Sequence, residues 1–410
     1  MKNGAFSRRH LWGAVCFAVA FVLLFLGMDT LLHQEREYSG TWTRVRETGS
    51  VPEVLIMGNS HAFCSFAPEI ITEALGLDAA VLGTSGINSV GTTDSFEALL
   101  HVGKPQYLVI EANAYTFDYD ATAKYHKAEA LSNINGMPRL LDRVKSAWRE
   151  FGYENIPQGA FQLLRADLMW KRWKDGESVS AADGSGLLNW HATGVFDAEK
   201  MQAEARRYTL DRKPSPHSDP RNDEQLHRTM RLAQQNGVKV LLVKAPTEHQ
   251  TQYGADLLLY LEQLCGEYGD TFLGLHDFHT DMADMGLEVQ DFYDNSHLSR
   301  SGAAKLTAAF ARWMSERTGL EADFENVFAY AGEKVEEGSD GLWRYEMSAY
   351  GQDVECRFLL DGEEVQGFSA ENSVELPVPS GEASRVECVM RQNGEEIRLA
   401  FMTPNTCIFN

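Results

Sequence analysis

Ser60 stands within the stretch "VLIMGNSHAF", where four apolar residues run into Gly58, Asn59, Ser60 and His61. A serine hydroxyl is a poor nucleophile unless a base lies within hydrogen-bonding reach and a third group orients that base. Far along the chain, "DFYDNSHLSRSGAAKL" carries Asp294 and His297 three residues apart. Such a pair can meet on one turn, with the carboxylate on one ring nitrogen and the other nitrogen aimed at Ser60. Acyl transfer also needs donors for a developing oxyanion. The amide of Ser60, the bare amide of Gly86 in "LGTSGIN" and the side-chain amide of Asn113 in "EANAY" are the candidates. Each feature has a structural alternative. Ser60 also suits the cap of a helix after a strand, and Asp294 with His297 also suits the cap of the helix that follows them.

Other residues with polar or aromatic side chains are weaker candidates. His61 beside the nucleophile, Asn88 and Trp190 are candidate substrate contacts, with structural roles equally open. Asn88 is also a rival to Asn113 as the amide donor. Glu111 at a strand end reads either as a satisfied buried carboxylate or as a partner of the site. "HDFH", His276 to His279, has no third or fourth ligand beside it, so neither a metal nor a cofactor is expected.

The elements that must position these residues are legible as alternating strands and helices. "VLIM" (54–57), "AAVL" (79–82), "YLVIEA" (107–112), "VKVLLVKA" (238–245) and "FLGL" (272–275) are short, nearly continuous apolar runs, as buried parallel strands are. Pro68 opens a helix that Gly76 stops, and "SFEALLHVG" closes on Gly103. Ala303, Leu306, Phe310 and Trp313 share one helical face. The expected fold class is α/β, a parallel sheet flanked by helices, with ligands outside the carboxyl ends of the strands. Residues 118–222 interrupt the pattern with helical pieces, a Gly/Ser/Asp loop and Trp148, Trp170, Trp173 and Trp190, and read as a lid insertion. From about residue 325 the period becomes two. Hairpins at Asp361-Gly362 and Asn393-Gly394 indicate a small β-sandwich over 325–410. Cys356 and Cys388 both suit its core, as a disulfide or as two thiols.

With 59 acidic against 37 basic residues and a net charge of -22, the chain is a poor partner for nucleic acid. Lys2, Arg8 and Arg9 precede the uncharged segment 11–28, "LWGAVCFAVAFVLLFLGM". As a helix it spans roughly 27 Å, enough to cross a bilayer with its N-terminus in the cytoplasm. A cleaved signal peptide is the alternative. Residues 1–35 are therefore read as a basic tip and single-pass anchor, 33–50 as a polar stalk, and 36–320 as an extracytoplasmic α/β domain.

These blocks together resemble the SGNH (GDSL-type) hydrolase superfamily, a flavodoxin-like fold, across residues 50–316. Ser60 matches the family's nucleophile, Gly86 its glycine donor, and Asp294 with His297 its Asp-x-x-His. Gly-Asn-Ser replaces the usual Gly-Asp-Ser, and Gly-x-Asn-Asp is missing, Asn113 being the nearest asparagine. The anchor resembles that of surface-polysaccharide O-acylation proteins. The resemblance implies a serine esterase or O-acyltransferase on acylated cell-envelope glycans, with a membrane acyltransferase as a further partner. A glycan-binding or scaffold protein that keeps the fold without turnover is the alternative.

Overall fold

The five apolar runs form one parallel sheet, β1 (Val54–Gly58), β2 (Ala79–Gly83), β3 (Tyr107–Glu111), β4 (Lys239–Lys244) and β5 (Phe272–Asp277), in the order β2-β1-β3-β4-β5. The computed structural model describes residues 8–31, 40–116, 126–165, 219–247, 252–288, 291–292, 296–325, 327–337, 341–377 and 385–401. The strand order is that of flavodoxin-like sheets, whose order reverses beside β1 and opens a crevice at the carboxyl ends of β1 and β3. Gly58 lies opposite Gly83, and Met57 opposite Ile110, so Gly58, Gly83 and Glu111 end their strands at one level. β5, at the edge, is only half-buried.

Successive side chains of a strand point to opposite faces, and here both faces are covered. Ile56, Val81, Val109 and Leu241 pack with α4 (Pro68–Leu75) and α11 (Arg300–Thr318), whose Ala303, Leu306, Phe310 and Trp313 are all buried. Leu55, Met57, Leu108 and Leu242 pack on the other side with α5 (Ser89–Leu100), α9 (Pro220–Asn236) and α10 (Gln252–Gly266).

Residues 40–48 correct the expected polar stalk. They form helix α2 (Gly40–Thr48), with Trp42 and Val45 one turn apart and buried in the second core. Thr41 Oγ1 donates to the Val81 carbonyl at 2.6 Å, and Trp42 Nε1 to Asn133 Oδ1 at 2.9 Å. Two apolar residues in a polar sequence are too few to show a periodicity, yet they suffice to dock a short helix.

Of the expected lid, the structure describes α6 (Lys127–Gly136), α7 (Leu140–Phe151) and α8 (Ile156–Ala160). Ile134, Met137 and Ala147 belong to the second core, so this portion is built into the domain. Arg149 and Arg228 both clamp Asp94, at 2.7 and 2.6 Å, and both reach Glu97, which ties α7 and α9 to α5. Trp148 is exposed, while Trp170, Trp173 and Trp190 lie outside the described residues.

Glu150, buried at the α5–α7 contact, accepts from Asn88 Nδ2 at 3.0 Å. Burial, with the nearby Asp94 charge, pushes its carboxyl up from 4.5 to about 8. Between those values the folded chain holds a proton that the unfolded chain releases, so stability is expected to fall as pH rises through this window and to level off above it. Glu150→Gln should flatten that slope, which urea midpoints of wild type and variant at about pH 5 and about pH 8.5 would read.

The C-terminal region folds as a sheet ordered β10-β7-β6 and another ordered β12-β11-β8-β9. Its strands are β6 (Ala329–Glu337), β7 (Leu342–Tyr350), β8 (Glu355–Leu360), β9 (Glu363–Ser369), β10 (Ser373–Pro377), β11 (Val386–Gln392) and β12 (Glu395–Ala400). Asp361-Gly362 and Asn393-Gly394 are two-residue hairpin loops with positive φ at both residues, the geometry that favours these dipeptides. Pro377 ends an edge strand, where a missing amide leaves no gap in the ladder. Tyr345, Phe358 and Val386 share a continuous core with Phe310 of α11. Cys356 and Cys388 are buried there as free thiols.

At the N-terminus, α1 (Arg8–Leu31) contains one stretch, Leu11–Asp29, long and apolar enough to cross a membrane, with mean hydropathy 2.5. By length and composition it fits a membrane span or a signal sequence.

Candidate active site

The turn that carries Ser60 begins with a steric requirement. A Cβ on Gly58 would press on the Cβ atoms of Ala62 and Glu111 at 3.0 Å, so glycine lets the chain fold straight from β1 into the short helix α3 (Ser60–Phe63). Asn59 caps α3, its Oδ1 accepting from the His61 amide at 3.0 Å. The expected alternative of Ser60 as the cap is thereby corrected: Asn59 fills that role one residue earlier. Ser60 is the first helical residue, and its Oγ lies 2.7 Å from His297 Nε2.

His297 approaches across 237 positions of sequence because its loop is anchored at the start of α11. Ser299 caps α11 through Gly302 N, and the Ser299 amide donates to the Asp291 carbonyl at 2.8 Å. Thus Ser299 takes the capping role that was the alternative for Asp294 and His297. Buried Asp291 accepts from Lys305 Nζ at 2.7 Å and from the Glu288 amide at 2.8 Å. A Cβ on Gly302 would overlap the Asp291 carbonyl, so glycine permits this close approach. His297 Nδ1 faces Ser296 Oγ at 3.2 Å. Asp294 lies outside the described residues.

The ends of β2 and β3 carry the two other donor candidates. Gly86 lies in a turn closed by the Ile87 amide on the Thr84 carbonyl at 3.1 Å, with φ +60. A Cβ there would overlap the imidazole of His126, so a bare position is needed twice over. Asn113 sits in the 3₁₀ turn Ala112–Tyr115, buried, with its amide donating to Glu111 Oε2 at 3.0 Å. Its side-chain Nδ2 makes no hydrogen bond among the described residues. Asn88 is differently engaged: it caps α5 through Gly91 N and donates Nδ2 to Glu150, so both ends of its amide hold the scaffold. Trp190 lies outside the described residues.

Beneath these groups lies a buried electrostatic layer. Glu111 also accepts from the Ala245 amide at 3.2 Å, which joins the ends of β3 and β4. Burial raises its carboxyl, with the Lys244 charge and the two amides opposing that rise. Lys244, buried, donates to the Ala245 carbonyl at 2.7 Å; burial lowers its pKa against the pull of Glu111 and Asp277. His61 is buried with its ring centroid 4.9 Å from that of His297. Burial first, then the positive charges of Lys244 and His297, hold it well below 6.5, hence neutral. Glu111 is thus a satisfied carboxylate that also orders the Asn113 turn.

His126 and Lys244 escaped the sequence reading. Lys244 had a signal, a cation closing the apolar run "VLLVK", whereas His126 is a lone histidine inside the insertion. His276, of "HDFH", pairs with Asp281 at 2.6 Å. Among the described residues no group of three or more His, Cys, Asp or Glu side chains is placed to hold a metal.

No protein-family profile and no curated protein matches the chain. Among solved structures, it is similar to a two-domain esterase active on acetylated mannans, co-crystallised with mannopentaose, at 11% identity over 89% of this chain and 88% of that one, with TM-score 0.28. An endo-beta-1,4-mannanase from Thermotoga petrophila aligns at 11% identity over 90% of this chain and 95% of that one, with TM-score 0.18. At such TM-scores neither likeness bears on what this chain does.

Proposed function

We propose that the chain is an SGNH-type serine esterase or O-acyltransferase, anchored in the membrane by α1, that acts on acyl esters of cell-envelope glycans, acetyl esters first among them. The observation that carries this reading is the 2.7 Å contact between Ser60 Oγ and His297 Nε2 at the carboxyl rim of the sheet. That distance is within the range in which a base can take the hydroxyl proton as oxygen attacks. Ser60 Oγ bonds to the ester carbonyl carbon while its proton passes to His297 Nε2. Asp294 orients the ring and balances the imidazolium. The carbonyl oxygen, now an oxyanion, takes hydrogen bonds from the Ser60 and Gly86 amides and from Asn113 Nδ2. His297 then returns the proton to the departing alcohol oxygen, leaving an acyl-serine. Water as the second nucleophile gives deacylation, and a sugar hydroxyl gives acyl transfer; either yields its proton to His297.

Glu111 supports this chemistry by holding the Asn113 and Ala245 amides, which fixes the ends of β3 and β4 beside the site. Neutral His61 places no like charge against the imidazolium. The test is covalent labelling of the full chain with a fluorophosphonate. One equivalent is expected on the wild type and none on Ser60→Ala. Equal labelling of both would reject Ser60 as the nucleophile, and labelling of neither would favour a glycan-binding scaffold.

A further inference from the structure

We propose that the outward face of α7 docks on the surface of the lipid bilayer that α1 crosses, an inference resting on the reading of α1 as a retained membrane span. α7 is inverted relative to an ordinary surface helix. Asp142, Ser146 and Glu150, spaced four apart, are buried against the domain. Leu141 and Trp148, seven residues apart on the opposite side, are 52% and 61% exposed, and Leu140, at the first turn, is 41% exposed. Soluble helices present the reverse arrangement, and an outward apolar stripe marks an interaction surface.

Its place beside α1 identifies the occupant. Phe25, inside the apolar span, meets Phe161 edge-on at 5.1 Å. One turn later Asp29 is buried, 3.8 Å from Arg143 of α7, and accepts from the Leu163 amide at 2.9 Å. The span therefore ends against α7 and the segment 161–164, where Leu164 is also exposed. Outside α1, five of the eight exposed large apolar side chains of the described residues fall within 140–164, so the exposure gathers where the helix would leave the membrane. A tryptophan and leucines facing that boundary suit the headgroup–acyl interface. The contact argued here is apolar, so zwitterionic phospholipid, which offers no net charge to the chain, is the surface that tests it.

The experiment uses the full chain reconstituted in phosphatidylcholine vesicles brominated near the headgroup end of the acyl chains. Fluorescence lost in Trp148→Phe and in Trp12→Phe, each subtracted from wild type, isolates the two indoles. Quenching of both signals, by about half for Trp148, is expected. If Trp12 is quenched and Trp148 is not, the docking proposal fails while the span stands. Shielding of Trp148 from aqueous acrylamide as well would mean that another part of the chain covers it, which also overturns docking. Quenching of neither rejects the span, and the docking proposal with it.

Discussion

Alanine at His297 is expected to lower kcat/KM for a short-chain aryl ester by roughly 10⁴-fold, and the Ser60→Ala, His297→Ala double variant to fall no further than the worse single. The reason is the shared proton. In the proposed mechanism Oγ and Nε2, 2.7 Å apart, perform one act, so removing either should remove all of it. What activity is left would come from the oxyanion donors and from binding, which both variants keep. Parallel measurement of the three variants decides the point. Losses that multiply would show that the two residues act separately, and the 2.7 Å contact would then be structural.

Asn113→Ala carries the second large effect, a fall in kcat of about 10²–10³-fold with KM nearly unchanged, as for loss of one oxyanion donor. The scaffold should tolerate it, because the hydrogen bond from Asn113 to Glu111 uses the backbone amide and survives the substitution. Nδ2, by contrast, has no partner to lose among the described residues. Asn88→Ala is the matching control. It removes a helix cap and the contact with Glu150, so its cost, about 1 kcal/mol for the cap alone, should appear in stability with kcat close to wild type. If Asn88→Ala lowers kcat and Asn113→Ala does not, the two asparagines exchange roles.

The parallel strands were legible because burial on both faces writes itself as unbroken apolar runs, and the two hairpins because positive φ at consecutive residues selects Asp-Gly and Asn-Gly. α2 was hidden, since its docking depends on Trp42 and Val45 alone within a polar stretch. β6 was hidden as well: "AYAGEKVEE" shows no apolar alternation, because its Glu333 answers Arg300 at 2.5 Å and Tyr330 lies under the same guanidinium. Pairing of that kind depends on a helix that precedes it by thirty residues, and no local pattern reports it.

For the site, the amino-acid sequence by itself determined which chemistry was available: a hydroxyl, an imidazole, glycine amides and asparagine side chains at or near the ends of apolar runs. Only the tertiary structure decided which of them meet. Asn59 takes the cap and leaves Ser60 to His297, Asn88 is engaged by the scaffold while Asn113 Nδ2 is not, and His126 closes over Gly86. Residue type is a local property, written at each position. A hydrogen bond between groups hundreds of residues apart exists only once the strands are ordered and the helices packed.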